Sequence, residues 1–276
     1  MSLFQCLRQA ELKDHQGQDD QQTALLHRQI IDKKYIVRRV YADFYGRIIA
    51  ALGTSSRPRR IVEIGTGSGF LKQHLPGLIT SDILDLPFID LRFSALQMPF
   101  RNDVLDAVVL VDAFHHLPDP KRFLSEIRRC LKPRGRLVMI EPANTAFNRF
   151  IHLHFHHENF DPRAGWEMDF KGPLSSANGA LPWIVFERDR HEFEQLFPQL
   201  KLLDSQSHTP LSYLLAGGLS YRQFMPNCFY SIVRGMEKIL APLNRFLGMF
   251  VTITVVKREG TAELNGHAHE AQQSGD

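Results

Sequence analysis

The tightest constraint on this chain is the stretch RIVEIGTGSGF at residues 60–70, where an apolar run ends in glycines at every second position. Ile61, Val62 and Ile64 predict a short strand buried in a parallel sheet. Gly65, Gly67 and Gly69 allow a sharp turn and let a ligand approach the backbone with no Cβ in the way. A helix beginning after Phe70 would aim its free amides at that turn and favour a carboxylate or phosphate. A dinucleotide fingerprint, G-x-G-x-x-G, needs its third glycine at position 70, where Phe70 stands. The loop therefore argues against NAD, and alone it is also compatible with an ordinary strand-to-helix turn.

At 276 residues the chain is long enough to bury a full core, in one large domain or two small ones. Apolar residues at 43% and charged residues at 23% are those of a water-soluble globular protein. A net charge of +3 is small for this length and gives no electrostatic reason to expect nucleic acid. Cys6, Cys130 and Cys228 form neither a disulfide framework nor a zinc spacing, which predicts a reducing, cytoplasmic setting. The opening MSLFQCLRQAELKDHQGQDD has no sustained apolar core, so no signal peptide is expected. No run reaches the ~18 apolar residues of a membrane span.

Around the first strand the pattern alternates. Leu26, Ile30, Val37, Tyr41, Phe44, Ile48 and Leu52 recur at helical spacing, with Gly46 as an interruption and Gly53 as a stop. Arg28, Lys33, Lys34, Arg38, Arg39 and Arg47 are read as its solvated face, with a basic membrane-surface helix as the minor alternative. GLITSD predicts a second strand ending at Asp82, PFIDLRFS a third, and VLDAVVLVD, residues 104–112, a fourth. Only ILDLP separates the second and third strands, less than an ordinary parallel crossover, so a helix is missing there or the strands are very short. In DPKRFLSEIRRCL, Asp119 caps a helix that Pro120 begins; Phe123, Leu124, Ile127 and Leu131 form its apolar face, and Pro133 and Gly135 end it. GRLVMIE is a fifth strand, RHEFEQLFP a helix, LKLLDSQSH a sixth strand and MFVTITVVKR the last. The alternation predicts an α/β, doubly wound sheet with ligands at the carboxyl ends of its strands, where Gly65, Asp82, Ser94 and Asp112 fall. Residues 1–55 are expected to form a polar tail and helical cap, 56–259 the main domain, and 260–276 a disordered tail.

From residue 60 to about Pro142 the chain resembles the class I S-adenosylmethionine-dependent methyltransferases, of the type 11 family. VEIGTGSG resembles that family's E/D-x-G-x-G-x-G, and TSD ends the second strand in the expected acid. SALQMPF resembles D-A-x-x-L-P-F and precedes LDAVVLVDAFHHL; LSEIRRCLKPRGRLVMIEP resembles E-x-x-R-v-L-K-P-G-G-x-l-x-i-x-E-P. The resemblance implies a Rossmann-like sheet with an antiparallel edge pair, and S-adenosyl-L-methionine as cofactor. It implies that Gly65, Thr66, Gly67 and Gly69 wrap the methionine end, with Glu63 near its ammonium group, and that Asp82 accepts from both ribose hydroxyls. Ser94, Ala95 and Leu96 would border the adenine, and Asp112, Ala113 and Phe114 the sulfonium. The chain departs from the pattern twice. Ser94 stands where many members carry an acid toward the adenine amino group, and Arg134 replaces the first glycine of the PGG turn.

FNRFIHLHFHHENFDP, residues 147–162, crowds His152, His154, His156 and His157 together with Glu158. His152 and His156 would share a helical face, which suggests a metal. No cysteine or H-E-x-x-H pattern accompanies them and the family's scheme needs no ion, so no metal is expected and residues of about 143–185 read as an aromatic lid. The apolar insertion at about 209–248 is too long for a hairpin. It is expected to complete the core, and beyond that to offer an apolar pocket or membrane-facing cap beside the cofactor. Together these features predict methyl transfer to a small-molecule or lipid-like acceptor, most simply O-methylation with a histidine base. His157, oriented by Glu158, is the first candidate base and His116 the second. Peripheral membrane contact and oligomeric state stay open. The alternative is a methyltransferase fold that holds cofactor, or nothing, and acts as an interaction module. Nucleic-acid methylation is disfavoured by the near-neutral charge and the lack of an N-P-P-Y-type signature.

Overall fold

The computed structural model describes residues 21–156, 158–169, 172 and 175–259. His157 and the expected tails at 1–20 and 260–276 lie outside the described residues. Seven strands form one sheet: β1 Ile61–Ile64, β2 Ile79–Asp82, β3 Leu91–Arg92, β4 Leu105–Val111, β5 Leu131–Pro142, β6 Leu200–His208 and β7 Phe250–Lys257. Their order is β3-β2-β1-β4-β5-β7-β6, parallel from β3 to β5, with β7 antiparallel to both β5 and β6. This is the α/β, doubly wound, Rossmann-like sheet with the antiparallel edge pair that the resemblance implies. β3 is only two residues long and no helix joins it to β2, so both halves of the sequence expectation hold there.

The strand runs are apolar without alternation because both faces are covered. On β4, Ala107 and Val109 enter one core while Val108 and Leu110 enter the other; on β5, Val138 and Ile140 oppose Leu137 and Met139 in the same way. The helices are α1 Gln21–Lys33, α2 Tyr35–Leu52, α3 Leu71–His74, α4 Pro120–Cys130, α5 Ala146–Phe155, α6 Leu181–Trp183, α7 Arg190–Leu196, α8 Ser212–Leu215, α9 Tyr230–Leu240 and α10 Asn244–Leu247. α6 runs on as a π-helical turn, Ile184–Arg188. One core holds α2 with side chains of α8 and α9; the other holds α4, the π-turn and α7. Among the described residues no helix is long and apolar enough to cross a membrane.

Three local expectations are corrected. Gly46 does not interrupt the N-terminal stripe; the break comes at Lys34, whose ψ of 100° separates α1 from α2, and Gly53 at φ 67° ends α2 as expected. Lys34 is not solvated: it is buried, and its ammonium donates to the carbonyls of Gly218 (2.7 Å) and Tyr221 (2.8 Å), tying the insertion to the N-terminal helices. α4 ends at Cys130, before Pro133 and Gly135, because the fully buried Leu131 already pairs with Leu105 as the first residue of β5.

Candidate active site

The chain leaves β1 over Gly65, Gly67 and Gly69, at φ 65°, 50° and 44°. At Gly65 space is also lacking, since a Cβ would lie 2.8 Å from the Cβ of Ala113; the loops after the neighbouring strands β1 and β4 touch there. A Cβ on Gly67 would meet only the Gly65 carbonyl, at 3.8 Å, so the turn is open on the side a ligand would use. The helix expected after Phe70 is the single turn α3, so its dipole adds little and the binding features must come from side chains and loop amides.

Two acids flank this turn. Asp82 accepts from the amide of Gly67 at 2.9 Å and from that of Leu84 at 3.0 Å. Burial raises its pKa against the pull of those amides. Glu63 is buried beneath the turn and accepts from the Thr66 hydroxyl at 3.0 Å. Its pKa is pushed up to about 8, chiefly by burial, with the charge of Asp82 adding to it. Past β3 the amide of Phe93 donates to the Asp82 carbonyl at 3.1 Å, and Ser94 opens a turn by accepting from the amide of Leu96 at 3.2 Å. Ala95 is buried and Leu96 half-buried against the core. Arg28, expected on a solvated face, instead clamps the glycine loop. Its guanidinium donates to the carbonyls of Ser68 (2.7 Å) and Gly69 (2.6 Å) and lies over the rings of Phe70 and Phe88.

At the end of β4, Asp112 takes a left-handed φ of 56° and begins the loop that ends in the 3-10 turn Phe114–His116. Glu141 on β5 is fully buried and accepts the amides of Ala113 (3.0 Å) and Phe114 (2.8 Å), and its other oxygen lies 2.7 Å from His115 Nδ1. His115 also approaches Glu158 at 3.5 Å and Asp112 at 3.9 Å. Burial alone would favour a neutral ring, but the hydrogen bond to Glu141 and the nearby carboxylates of Glu158 and Asp112 outweigh it and raise the pKa well above the ordinary value. His116 behaves oppositely: burial, then the neighbouring charge of His115, push it down to about 4. Its Nδ1 lies 2.9 Å from the Ser176 carbonyl, and its Nε2 faces Glu158 at 3.9 Å. Asp112 is pushed up to about 7 by its poorly solvated surroundings, with Glu158 and Glu141 adding to the shift and His115 opposing it. For Glu158 burial is outweighed by His115, His156 and His116, which lower its pKa.

The structure thus brings Glu63, the glycine turn, Asp82, Asp112 and Ala113 to the carboxyl ends of β1, β2 and β4, with Ser94, Ala95 and Leu96 beyond β3. Glu158 faces His115 and His116. His115 and Glu141 were missed as site residues, although both stand in the quoted HHL and IEP segments. His152 and His156 share a face as expected; their rings lie 4.5 Å apart at a tilt of 34°, and His152 also packs on Phe160. Among the described residues two other donor sets converge within 4.8 Å: His115, His116 and Glu158, and Asp112, His115 and Glu141. His115 belongs to both sets; its Nδ1 is engaged by Glu141, and the His116 Nδ1 by the Ser176 carbonyl.

Residues 71–139 match the family described as "Methyltransferase domain". The matched stretch runs from α3 into β5. The chain is 32% identical to a demethylmenaquinone methyltransferase of Deinococcus radiodurans, over 40% of this chain and 56% of that one. It is 30% identical to a phthiotriol/phenolphthiotriol dimycocerosates methyltransferase of Mycobacterium ulcerans, over 52% of this chain and 51% of that one. The chain therefore spans about half the length of these relatives. A solved geranyl diphosphate C-methyltransferase of Streptomyces coelicolor is 16% identical with a TM-score of 0.45, covering 91% of this chain and 89% of that chain.

Proposed function

We propose that this chain transfers a methyl group from S-adenosylmethionine to an apolar, lipid-like acceptor, at a hydroxyl group. The observation that carries the reading is the charge balance at the end of β4. Three carboxyl groups, Asp112, Glu141 and Glu158, converge on one buried imidazole, His115, and make an acid-rich surface beside the open glycine turn, with His156 3.8 Å from Glu158. That potential complements a cationic sulfonium. The cradle fits the rest of the cofactor. Gly67 leaves room above the turn, Asp82 presents a carboxylate to paired hydroxyls, and Glu63 sets a carboxyl beneath it for an ammonium group.

When bound, the cofactor supplies an already activated methyl on a positive sulfur. The residues then supply position and a proton acceptor, since aligning the reactants is itself worth several kcal/mol of the barrier. His116 is the base. A carbonyl only accepts, so Nδ1 donates to Ser176, and in the neutral ring Nε2 carries the lone pair. Nε2 and Glu158 face each other across 3.9 Å as two acceptors, an arrangement that a donor such as a hydroxyl would complete. After proton transfer Glu158 stabilises the imidazolium. His157 lies outside the described residues, and Glu158 is directed at His115 and His116. Lipid-like acceptors are supported by the names of the relatives, a demethylmenaquinone and a phthiotriol dimycocerosate.

Incubation with methyl-labelled cofactor and fractionated cell extract tests the reading: label should enter the apolar fraction. His116→Ala should slow that transfer by about 10²-fold, the low end for a general base because a ring whose pKa is held at about 4 is a weak one, while leaving cofactor binding unchanged. Label entering no fraction, with cofactor still bound, would favour a non-catalytic interaction module.

A further inference from the structure

The insertion presents an apolar surface that nothing in the proposed chemistry uses. On α9, Tyr230, Val233 and Glu237 turn inward, while Ile232 (59% exposed), Met236 (47%) and Ile239 (79%) form an outward stripe at helical spacing. Leu243 and Phe246 continue the exposed set, and Phe224 and Phe229 precede it. α10 packs against α5, whose Phe150 and Leu153 (72%) are also exposed, and the Tyr221 hydroxyl donates to the Phe155 carbonyl at 2.8 Å. Single exposed apolar residues are ordinary, but a connected set of this kind marks an interaction surface.

The charges say with what. The only acid in residues 209–248 is Glu237, and it is buried, accepting from the amides of Leu211 and Ser212 and paired with Arg234. The exposed charges of that segment are Arg222, Lys238 and Arg245, and α5 adds Arg149 with no acid. A large apolar face whose own exposed charges are all positive, with Glu187 of the π-turn beside Arg245 as its neighbouring acid, has the profile of a helix lying in a bilayer interface.

We propose that the exposed faces of α9, α10 and α5 dock on an anionic lipid bilayer. The loop after α5 carries Glu158, which faces His115 and His116, so docking sets the bilayer beside the acceptor end of the site. In that detail the inference rests on the proposed function: a lipid-like acceptor would pass from membrane to site without crossing water.

Flotation of the full chain with vesicles tests it, comparing phosphatidylcholine alone with phosphatidylcholine containing phosphatidylglycerol. The chain should float with the anionic vesicles, less so at high salt. Ile232→Glu with Ile239→Glu should weaken binding more than about tenfold, the factor for withdrawing an isoleucine side chain from an apolar contact. Lys238→Gln with Arg245→Gln should weaken it roughly 25-fold on anionic vesicles, about fivefold for each charge. Unchanged thermal melts show that these exposed substitutions leave the fold intact. Absence of flotation at low salt, equal flotation of the isoleucine variant, or a dimer that the isoleucine variant dissociates in place of vesicle binding would each overturn the proposal. Calorimetry of S-adenosylhomocysteine on the same samples separates failure of docking from failure of the methyltransferase reading.

Discussion

Glu63 offers a perturbation whose size follows from its position. It lies 3% exposed beneath the glycine turn, with the Thr66 hydroxyl as its hydrogen-bond donor. Burial pushes its folded pKa up to about 8, against roughly 4.3 in an unfolded chain. The folded state therefore keeps a proton that the unfolded state has released at neutral pH. The stability this group contributes is fully present below about pH 4.3 and is lost as pH rises through about 8. Between pH 6 and pH 8.5 the loss comes to about 2.5 kcal/mol, or roughly 5–10 °C in Tm for a domain of this size. Glu63→Gln keeps the shape and the acceptor oxygen for Thr66 but cannot titrate. Comparing the two proteins cancels the other groups that ionise in this window. Thermal melts of both across that range should show wild type losing ground steadily to the variant as pH rises. Parallel Tm profiles would refute the reasoning and mean that Glu63 is already ionised at neutral pH.

Arg134 holds a left-handed φ of 65° where the resembled motif has glycine, so Arg134→Gly should stabilise the fold by about 1 kcal/mol, a rise of roughly 2–4 °C in a thermal melt. Its exposed ion pair with Glu259, at 3.5 Å, offers little to lose. Glu141→Gln should destabilise by roughly 3–5 kcal/mol, because it strips the buried His115 of its charged partner, and NMR titration should show the His115 pKa falling.

The parts of the molecule legible in the sequence were those set by short-range rules. Glycines at alternate positions forced the turn after β1, and apolar runs bounded by acids located β2 and β4. The Asp119 cap, whose side chain accepts from the amide of Arg122, started α4 where expected. What escaped depended on partners distant in the chain. Arg28 and Lys34 read as solvated charges, but long side chains can bury their stems and carry a charge to loop carbonyls, here 40 and 184 residues away. The doublet His115–His116 could not show which ring turns inward. Neighbours in a 3-10 turn point in different directions, and the choice is made by Glu141, brought alongside from β5. The π-turn Ile184–Arg188 was likewise invisible, since its i→i+5 bond from Asp189 to Ile184 leaves no mark on local composition.

The central claim is that the glycine turn and Asp82 hold S-adenosylmethionine, and calorimetry with S-adenosylhomocysteine tests it most directly. Wild type should bind one molecule per chain, and Asp82→Ala should weaken binding roughly 10- to 150-fold, the factor for losing charge-assisted hydrogen bonds of about 1.5–3 kcal/mol. Asp82→Asn, which retains an acceptor for the Gly67 amide, separates loss of the ligand contact from loosening of the turn, and it too should bind more weakly than wild type. No heat of binding with wild type, or equal affinity in all three proteins, would contradict the account.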